Sequence, residues 1–146
     1  MKLKQLSVFL ENKPGALSEP CRLLAKADIN IQTFSLADTR EFGILRLVVE
    51  DADKARRLLQ RNGFAVKVTN VVVLEVPDRP GGLAGILDAL AGTGINVKYA
   101  YGFTVRQENK GVLVFCFDDP DSAVEILKKK GINVIASGDL FKRLKG

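Results

Sequence analysis

The chain has 146 residues, a length that suits one domain or two small domains of about 70 residues each. Hydrophobic residues make up 47% of the sequence, enough for a packed core, and no apolar run reaches the roughly 18 residues of a membrane span. The absence of histidine and the presence of only two cysteines exclude a histidine-based triad, a zinc cluster and a disulfide framework. The formal charge of +5 leaves a nucleic-acid partner to be tested against the motifs.

The N-terminal segment turns polar too soon to act as a secretory signal. We therefore expect a soluble cytoplasmic protein without membrane contact. Much of the positive charge lies in the run 128–130 and in the tail 142–145. Such runs are usually solvated helix faces and frayed chain ends.

The first predicted element is a half-buried strand, because Leu6, Val8 and Leu10 alternate with more polar neighbours. A Pro14-Gly15 turn follows. Next comes a predicted helix that ends near Asp28. Its apolar positions recur at helical spacing, and they are Leu17, Cys21 and Leu24. Pro20 fits close to the start of this helix, where its missing N–H has no partner to lose.

The remainder of the first half predicts two strands, a helix and a final strand. The second strand begins at Ile29, and the third covers residues 44–49. The second helix ends at Gly63, where a left-handed residue is favoured, and the last strand covers residues 65–69.

The second half of the chain repeats this order. A shift of 66 residues superposes the turns and the strands beside them, and a two-residue insertion then raises the shift to 68. The matched pairs include Asn12 with Asp78, Pro14 with Pro80, Gly15 with Gly81, Leu17 with Leu83, Asn30 with Asn96, Asp51 with Asp119, and Gly63 with Gly131. A match of this length indicates a duplicated module, because a solenoid needs more copies.

The elements of the second copy follow by position. Leu83, Leu87 and Leu90 predict the apolar face of its first helix, which stops near Gly94, and a strand begins at Ile95. A third strand covers residues 112–117. The second helix has a clear start, because Asp119 can cap it and Pro120 fits its first position. Gly131 ends that helix, and the last strand covers residues 132–136.

The order strand-helix-strand-strand-helix-strand, repeated twice, predicts an α+β protein of two ferredoxin-like βαββαβ modules. Each module has an antiparallel sheet with its helices on one face. We assign residues 1–69 to the first domain and 70–146 to the second. No Gly/Ser linker separates them, since residues 66–76 are almost continuously β-branched, so we expect the modules to be held close together.

Ferredoxin-like folds serve many functions, so the fold alone decides nothing, but the motifs of this chain fit three functional classes poorly. An RNA-recognition sheet needs two stacking aromatic residues, but the motif-like run 110–117 has Val112 and Val114 at those positions. A metal carrier needs a paired cysteine, whereas Cys21 stands alone in a helical pattern and Cys116 lies in an apolar strand. An enzyme needs a nucleophile with a base, paired carboxylates or a phosphate cradle, and none is evident. We expect no catalysis, no cofactor, no metal and no nucleic acid.

The turns themselves point to a small zwitterionic ligand. Each turn enters a helix directly, so free backbone N–H groups and the positive end of the helix dipole are expected there. Glycines at 15, 81 and 82 allow a ligand to approach the main chain closely. Asn30 and Asn96 begin the next strands, and their amides both donate and accept. An amino acid fits this mixture of groups. The conservative alternatives are a turn required by the topology and amides that merely start strands.

Together, the turns and the Ile-Asn-Ile and Ile-Asn-Val segments resemble the ACT domains, regulatory modules attached to enzymes of amino-acid metabolism. The resemblance covers nearly the whole chain, because each of the two copies resembles one ACT domain. It implies that an effector amino acid binds between paired modules, at the first strand-helix loop and facing strand residues. It also implies modules side by side in one eight-stranded sheet, often in a homodimer. By position, the implied ligand residues are Asn12, Lys13, Gly15, Ala16, Leu17 and Asn30, and Asp78, Arg79, Gly81, Gly82, Leu83 and Asn96.

The chain departs from the family in two respects. These 146 residues include no enzyme domain, and we expect that whatever the chain controls is another protein or nothing known. The second copy carries Tyr99 and Tyr101 where the first has Thr33 and Ser35, and these tyrosines either line a pocket or fill space between modules. We expect a non-catalytic amino-acid sensor or regulator. The alternatives are an assembly module without a ligand and, less favoured, an RNA-binding protein.

Overall fold

A computed structural model describes residues 2–38, 42–103 and 108–145, with side chains through residue 144. The elements in chain order are β1 (Leu3–Glu11), α1 (Ser18–Lys26), β2 (Thr33–Asp38), β3 (Phe42–Val48), α2 (Ala52–Arg61), β4 (Ala65–Pro77), α3 (Gly82–Ala89), β5 (Val97–Gly102), β6 (Lys110–Phe117), α4 (Pro120–Lys129), β7 (Val134–Ile135) and α5 (Ser137–Lys145). The chain divides into two compact units. The first is Lys4–Thr69, and the second is formed by the chain from Asn70 onward with the residues before Lys4. The assignment of residues 1–69 and 70–146 to two separate domains stays a prediction.

The first unit has the predicted ferredoxin-like arrangement. Its strands follow the order β2-β3-β1-β4, and β3 pairs antiparallel with both β1 and β2. The alternating residues of β1 pack with Leu24 of α1 and with Ala55 and Leu59 of α2 in a single core. Since one core contains side chains from both helices, both helices cover the same face of the sheet, as predicted.

The second unit repeats this plan around β4. β6 pairs antiparallel with β4 and with β5, and β7 pairs antiparallel with the other side of β4. Val72, Leu74 and Val76 of β4 form a core with Ile86 of α3 and Leu127 of α4. The predicted antiparallel βαββαβ order is therefore present in both halves.

The predicted start of α4 and the predicted ends of α2 and α4 are confirmed, whereas α3 ends at Ala89, before the predicted stop near Gly94. Asp119 is the N-cap of α4 and accepts a hydrogen bond from the Ser122 N–H at 3.1 Å, and Pro120 follows it in the first turn. Asp51 caps α2 in the same way, accepting from the Lys54 N–H at 3.0 Å. The glycines that follow the two helices, Gly63 and Gly131, have φ values of +88° and +77°.

The expectation of eight strands is not met, because the described residues form seven. The last strand of the first repeat and the first strand of the second are one continuous strand, β4. Its run of β-branched residues contains no turn signal at which the strand could break. β7 is also shorter than predicted, with two residues rather than five.

Two strands begin later than predicted. β2 begins at Thr33 rather than Ile29, and β5 begins at Val97 rather than Ile95. The earlier residues lie in the loops that follow the preceding helices, which end at Lys26 and Ala89. The Ile29 N–H donates to the Leu24 carbonyl at 2.9 Å, and the Ile95 N–H donates to Thr93 Oγ1 at 3.3 Å.

The apolar face predicted for α3 is partly wrong. Ile86 and Leu90 are buried, whereas Leu83 and Leu87 are 46% and 42% exposed. The buried pair corresponds to Pro20 and Leu24 of α1, which are the buried residues of that helix. Leucines on both sides of α3 make its periodicity ambiguous, so only packing identifies the inner face.

The C-terminal tail forms a helix, although the sequence predicts a frayed chain end there. α5 covers nine residues, and its Leu140 is buried at 2% exposure. Arg143 of α5 contacts Glu75, which lies between the core residues Leu74 and Val76 and therefore points to the opposite face of the strand. The prediction that helices lie on one face thus holds for α3 and α4 but not for α5. None of the described helices combines the length and apolar character needed to cross a membrane.

Candidate functional site

The two repeated turns define the candidate site, and each lies between the first strand of its repeat and the following helix. The first corner comprises residues 12–17, between β1 and α1. The second corner comprises residues 78–83, between β4 and the start of α3. Most residues of both corners are exposed. The equivalent turns thus occupy equivalent places in the two units, as the repeat predicts.

The first corner is partly closed by its own hydrogen bonds. The Lys13 N–H donates to the Glu11 carbonyl at 3.0 Å, and the Ala16 N–H donates to the Lys13 carbonyl at 3.3 Å. Gly15 has a φ of +83°, and a Cβ placed on it would meet no atom within 4 Å. Within the described ranges, the N–H groups of Gly15 and Leu17 have no backbone partner. The donors left for a ligand are therefore fewer than the sequence suggested.

The second corner has a similar bonding pattern with a tighter attachment. The Arg79 N–H donates to the Pro77 carbonyl at 3.0 Å, and the Gly82 N–H donates to the Arg79 carbonyl at 3.0 Å. The Asp78 N–H is bound by the Asn109 carbonyl at 2.8 Å, which ties the corner to the start of β6. Gly81, with a φ of +86°, is the N-cap residue of α3 and has open space around it. Gly81 is therefore the glycine of this corner that a ligand can approach.

Gly82 has a packing role in this geometry. It is buried, and a Cβ added to it would overlap the carbonyl oxygen of Pro77. The missing side chain thus lets the first turn of α3 lie against the end of β4. The corresponding residue of the first corner is Ala16, which is half-buried. The two corners are consequently not identical in backbone packing.

Asn30 and Asn96 are exposed and lie in the loops before β2 and β5 rather than in the strands. The Asn96 backbone is fixed from both sides. Its N–H donates to Asp118 Oδ1 at 2.9 Å, and its carbonyl accepts from the Asp118 N–H at 3.1 Å. The carboxylate that corresponds to Asp118 in the first repeat is Glu50. The bonding around Asn96 leaves its side chain exposed for other contacts.

Tyr99 and Tyr101 stack on each other, with ring centroids 6.5 Å apart and planes 13° from parallel. They lie opposite Cys116 and Val114 of β6 in the strand register. Those residues alternate with the core residues Phe115 and Phe117, so the tyrosines project from the face opposite α3 and α4. They do not share a face with the helix that begins at the second corner.

A charged cluster that was not predicted from the sequence surrounds Glu75. Its carboxylate contacts the Arg143 guanidinium and lies 3.5 Å from Lys110 Nζ, and its side chain is 11% exposed. Burial alone would raise the pKa of Glu75. Hydrogen bonds from Arg143 and Asn133 and the charges of Arg143 and Lys110 nevertheless hold that pKa below its ordinary value. A glutamate within the apolar run 71–76 was the sequence signal for this cluster.

The described geometry bears on two of the alternative functions. Val112 and Val114 are buried, at 7% and 0% exposure, so these motif positions belong to the packed interior and offer no stacking surface for bases. Burial raises the pKa of the Cys21 thiol, which disfavours the reactive thiolate. Cys116 is buried in β6. The cysteines thus behave as small apolar residues.

The chain matches one protein-family model and several solved structures of known proteins. Residues 1–144 match the family model described as "ACT domain pair". A crystal structure of a protein from Bacteroides thetaiotaomicron is 41% identical, with a TM-score of 0.89 and 97% of each chain covered. The ligand-free regulatory subunit of aspartate kinase from Thermus thermophilus is 16% identical, with a TM-score of 0.62 over 86% of this chain and 91% of that one. The corresponding subunit from Thermus flavus is 17% identical, with a TM-score of 0.59 over 86% and 90%.

No protein with a curated description matches the chain. The family match nevertheless spans both repeats, and the Bacteroides structure shares the architecture over nearly its full length. The more distant aspartate kinase subunits show the same fold. The chain therefore belongs to the ACT domain family, as an ACT domain pair.

Proposed function

We propose that this ACT domain pair is a non-catalytic regulatory protein that binds a small amino acid at its two corners. The observation that carries the proposal is the repeated geometry. Each strand-helix corner of this chain presents an exposed glycine with positive φ beside the start of a helix. These glycines are Gly15 and Gly81. Gly82 is left out of the proposed site because of its packing role. The proposed ligand residues are Asn12, Lys13, Gly15, Ala16, Leu17 and Asn30, and Asp78, Arg79, Gly81, Leu83 and Asn96.

The chemistry of the corners suits the two ends of a zwitterion. A ligand carboxylate would accept from the N–H groups of Gly15 and Leu17 in the first corner, or from the equivalent groups of Gly81 and Leu83 in the second. An asparagine side chain would accept from the ammonium group. Asp78 gives the second corner a carboxylate that the first lacks, since its counterpart there is Asn12. We therefore expect the two corners to differ in affinity.

The proposed mechanism is a change in association. A ligand that binds one arrangement of paired modules more tightly than another shifts the population toward that arrangement, and the shift is limited by the difference in affinity. The partner is a second copy of this chain in a homodimer, or an enzyme of amino-acid metabolism. Several backbone N–H groups of each corner already donate to carbonyl groups of the chain, so each corner has fewer donors for an anion than the sequence predicts. An assembly module that binds no ligand is for this reason the second candidate.

Thermal melting with each of the twenty amino acids tests the proposal. A ligand at 100 times its dissociation constant should add about 2.7 kcal/mol to the stability of the folded state. At least one amino acid should therefore raise the melting temperature in a concentration-dependent way. If all twenty leave it unchanged at millimolar concentrations, the assembly module is the better description.

Asn30→Ala and Asn96→Ala form a matched pair for locating the site. The two residues are equivalent and exposed, so neither change is expected to disturb the fold. The variant at the competent corner should weaken binding by about tenfold, the loss typical of one hydrogen bond to a charged group. Lys128→Ala, on the exposed side of α4, is the control. Titration calorimetry that gives the parent affinity for both asparagine variants would remove these residues from the site.

A further inference from the structure

The second unit has a buried apolar surface on the side of its sheet away from α3 and α4, here called the back face. Its residues alternate with the core residues of the same strands, so their side chains point away from that core. The described apolar members are Val71, Val73, Val112, Val114, Cys116 and Ile135, which are between 0% and 7% exposed. A bare two-layer module would leave such a face to solvent, and so the back face requires a cover.

α5 provides cover over one part of the back face. It begins two residues after β7, and its Leu140 is buried. Arg143, one turn further along α5, contacts the carboxylate of Glu75, and Lys110 approaches the same carboxylate from β6. Val112 of β6 lies opposite Glu75 in the strand register and is the apolar back-face residue beside it. α5 is therefore positioned over the β4–β6 part of the face.

The attachment of α5 is narrow. Among its described side chains, Leu140 is the one that is buried, while Phe141, Arg143 and Leu144 are half-buried and Lys142 is exposed. A helix of nine residues is not stable alone in water, so its helical state depends on being docked. Docking and helix formation in α5 are for this reason one event, and the few contacts that hold it set its stability.

Glu75 is an unusual residue for this strand. A carboxylate among buried valines is costly unless it is paired, and here two cations and Asn133 pair with it. The first repeat has neither feature, because the residue equivalent to Glu75 is Phe9 and β4 continues where α5 would follow. The glutamate and the additional helix thus occur together in the second unit.

We propose that α5 is a releasable strap on the back face, latched by the contact between Glu75 and Arg143. When the latch opens, α5 unfolds as a unit and uncovers Glu75 and the adjoining part of the back face, while the strands beneath stay folded. The strap lies on β4 and β6, whose ends also hold the second corner through the Asp78–Asn109 hydrogen bond. The strap does not depend on whether an amino acid binds there.

Hydrogen exchange of the full-length Glu75→Gln variant tests the strap. The substitution keeps the shape of the side chain but removes its charge, so backbone amides of α5 should exchange about tenfold faster or more. Amides of β6 should keep their parent rates. Glu125→Gln is the matched control, because it makes the same charge change in an exposed pair with Lys129 on α4. It should leave exchange in α5 unaltered.

Limited trypsin digestion gives a second readout, since Glu75→Gln leaves the cleavage sites at Lys142 and Arg143 intact. Cleavage at these sites should become about tenfold faster while the rest of the chain stays whole. Equal acceleration of α5 and β6 exchange would show that α5 belongs to the cooperative core and would overturn the proposal. Unchanged exchange and cleavage in α5 would overturn it as well, by showing that Glu75 is not the latch.

Discussion

At the scale of single residues, Glu75 shows how a charge is accommodated in an apolar strand. In the folded protein, burial would raise the pKa of the Glu75 carboxyl, but its partners hold that pKa below the ordinary value of 4.5. A carboxyl with a depressed folded pKa stabilises the protein above its unfolded pKa, and that stabilisation is lost as the pH falls through the folded pKa. The contribution of Glu75 should therefore be complete at pH 7 and absent in strong acid.

The Glu75→Gln variant should be less stable than the parent by about 1–2 kcal/mol at pH 7. This deficit should shrink progressively as the pH is lowered below about 4.5, because the parent then loses the same charge. Urea unfolding of both proteins at a series of pH values measures the difference. A deficit that stays constant down to about pH 2.5 would mean that ionisation of Glu75 does not contribute.

Two glycines of α3 have opposite roles and make a paired test. A Cβ on Gly82 would overlap the Pro77 carbonyl oxygen, so Gly82→Ala should cost about 1–3 kcal/mol by forcing α3 away from β4. Gly85 lies in the same helix with open space around it, and Gly85→Ala should stabilise by about 0.5–1 kcal/mol. Thermal melting compares the two. Similar effects of the same sign would contradict the packing assigned to Gly82.

At the scale of the element, α3 shows why periodicity alone could not identify its inner face. Two overlapping sets of apolar residues in α3 have helical spacing. One set is Leu83, Leu87 and Leu90, and the other is Ile86 and Leu90. The structure buries Ile86 and Leu90 and exposes the other two leucines. The inner face is therefore fixed by contact with β4 and β6, which the sequence of the helix does not encode.

Ile86→Ala should accordingly destabilise the protein by about 2–4 kcal/mol, since it removes buried methyl groups and leaves a cavity. Leu87→Ala, one residue further along, should cost less than about 1 kcal/mol because that side chain is 42% exposed. Chemical denaturation with both variants measures the contrast. Equal losses would indicate that Leu87 is covered in solution, as an association surface would be.

At the scale of the whole molecule, duplication leaves each repeat with its own core and each corner in an equivalent place. β2 is an outer strand of the described sheet order, and its Phe34 and Leu36 are 55% and 48% exposed. An unpaired strand edge with exposed apolar side chains is an association surface unless it is protected. This edge supports the proposal of a homodimer.

Analytical ultracentrifugation should give twice the mass of one chain at micromolar concentration. Leu36→Ser, on the exposed edge, should weaken the dimer by about tenfold, since its burial contributes roughly 1.5 kcal/mol or more. Leu87→Ser removes an exposed leucine from α3 instead and should leave the dimer unaltered. A monomer at every concentration would refute the dimer, and a larger effect of Leu87→Ser would move the interface to the helix.

The sequence by itself determined the features that depend on local chemistry. The repeat placed the elements, the aspartate and proline pair predicted the start of α4, and the glycines predicted the ends of α2 and α4, because caps and positive φ values are properties of a few neighbouring residues. The tertiary structure alone decided which face of α3 is buried, that two predicted strands are one, and that the tail docks as α5 beside Glu75. It also showed that several corner amides are already bonded. These outcomes depend on contacts between residues far apart in the chain. Local patterns, such as the unbroken β-branched run of β4 and the lone glutamate within it, indicate them only in part.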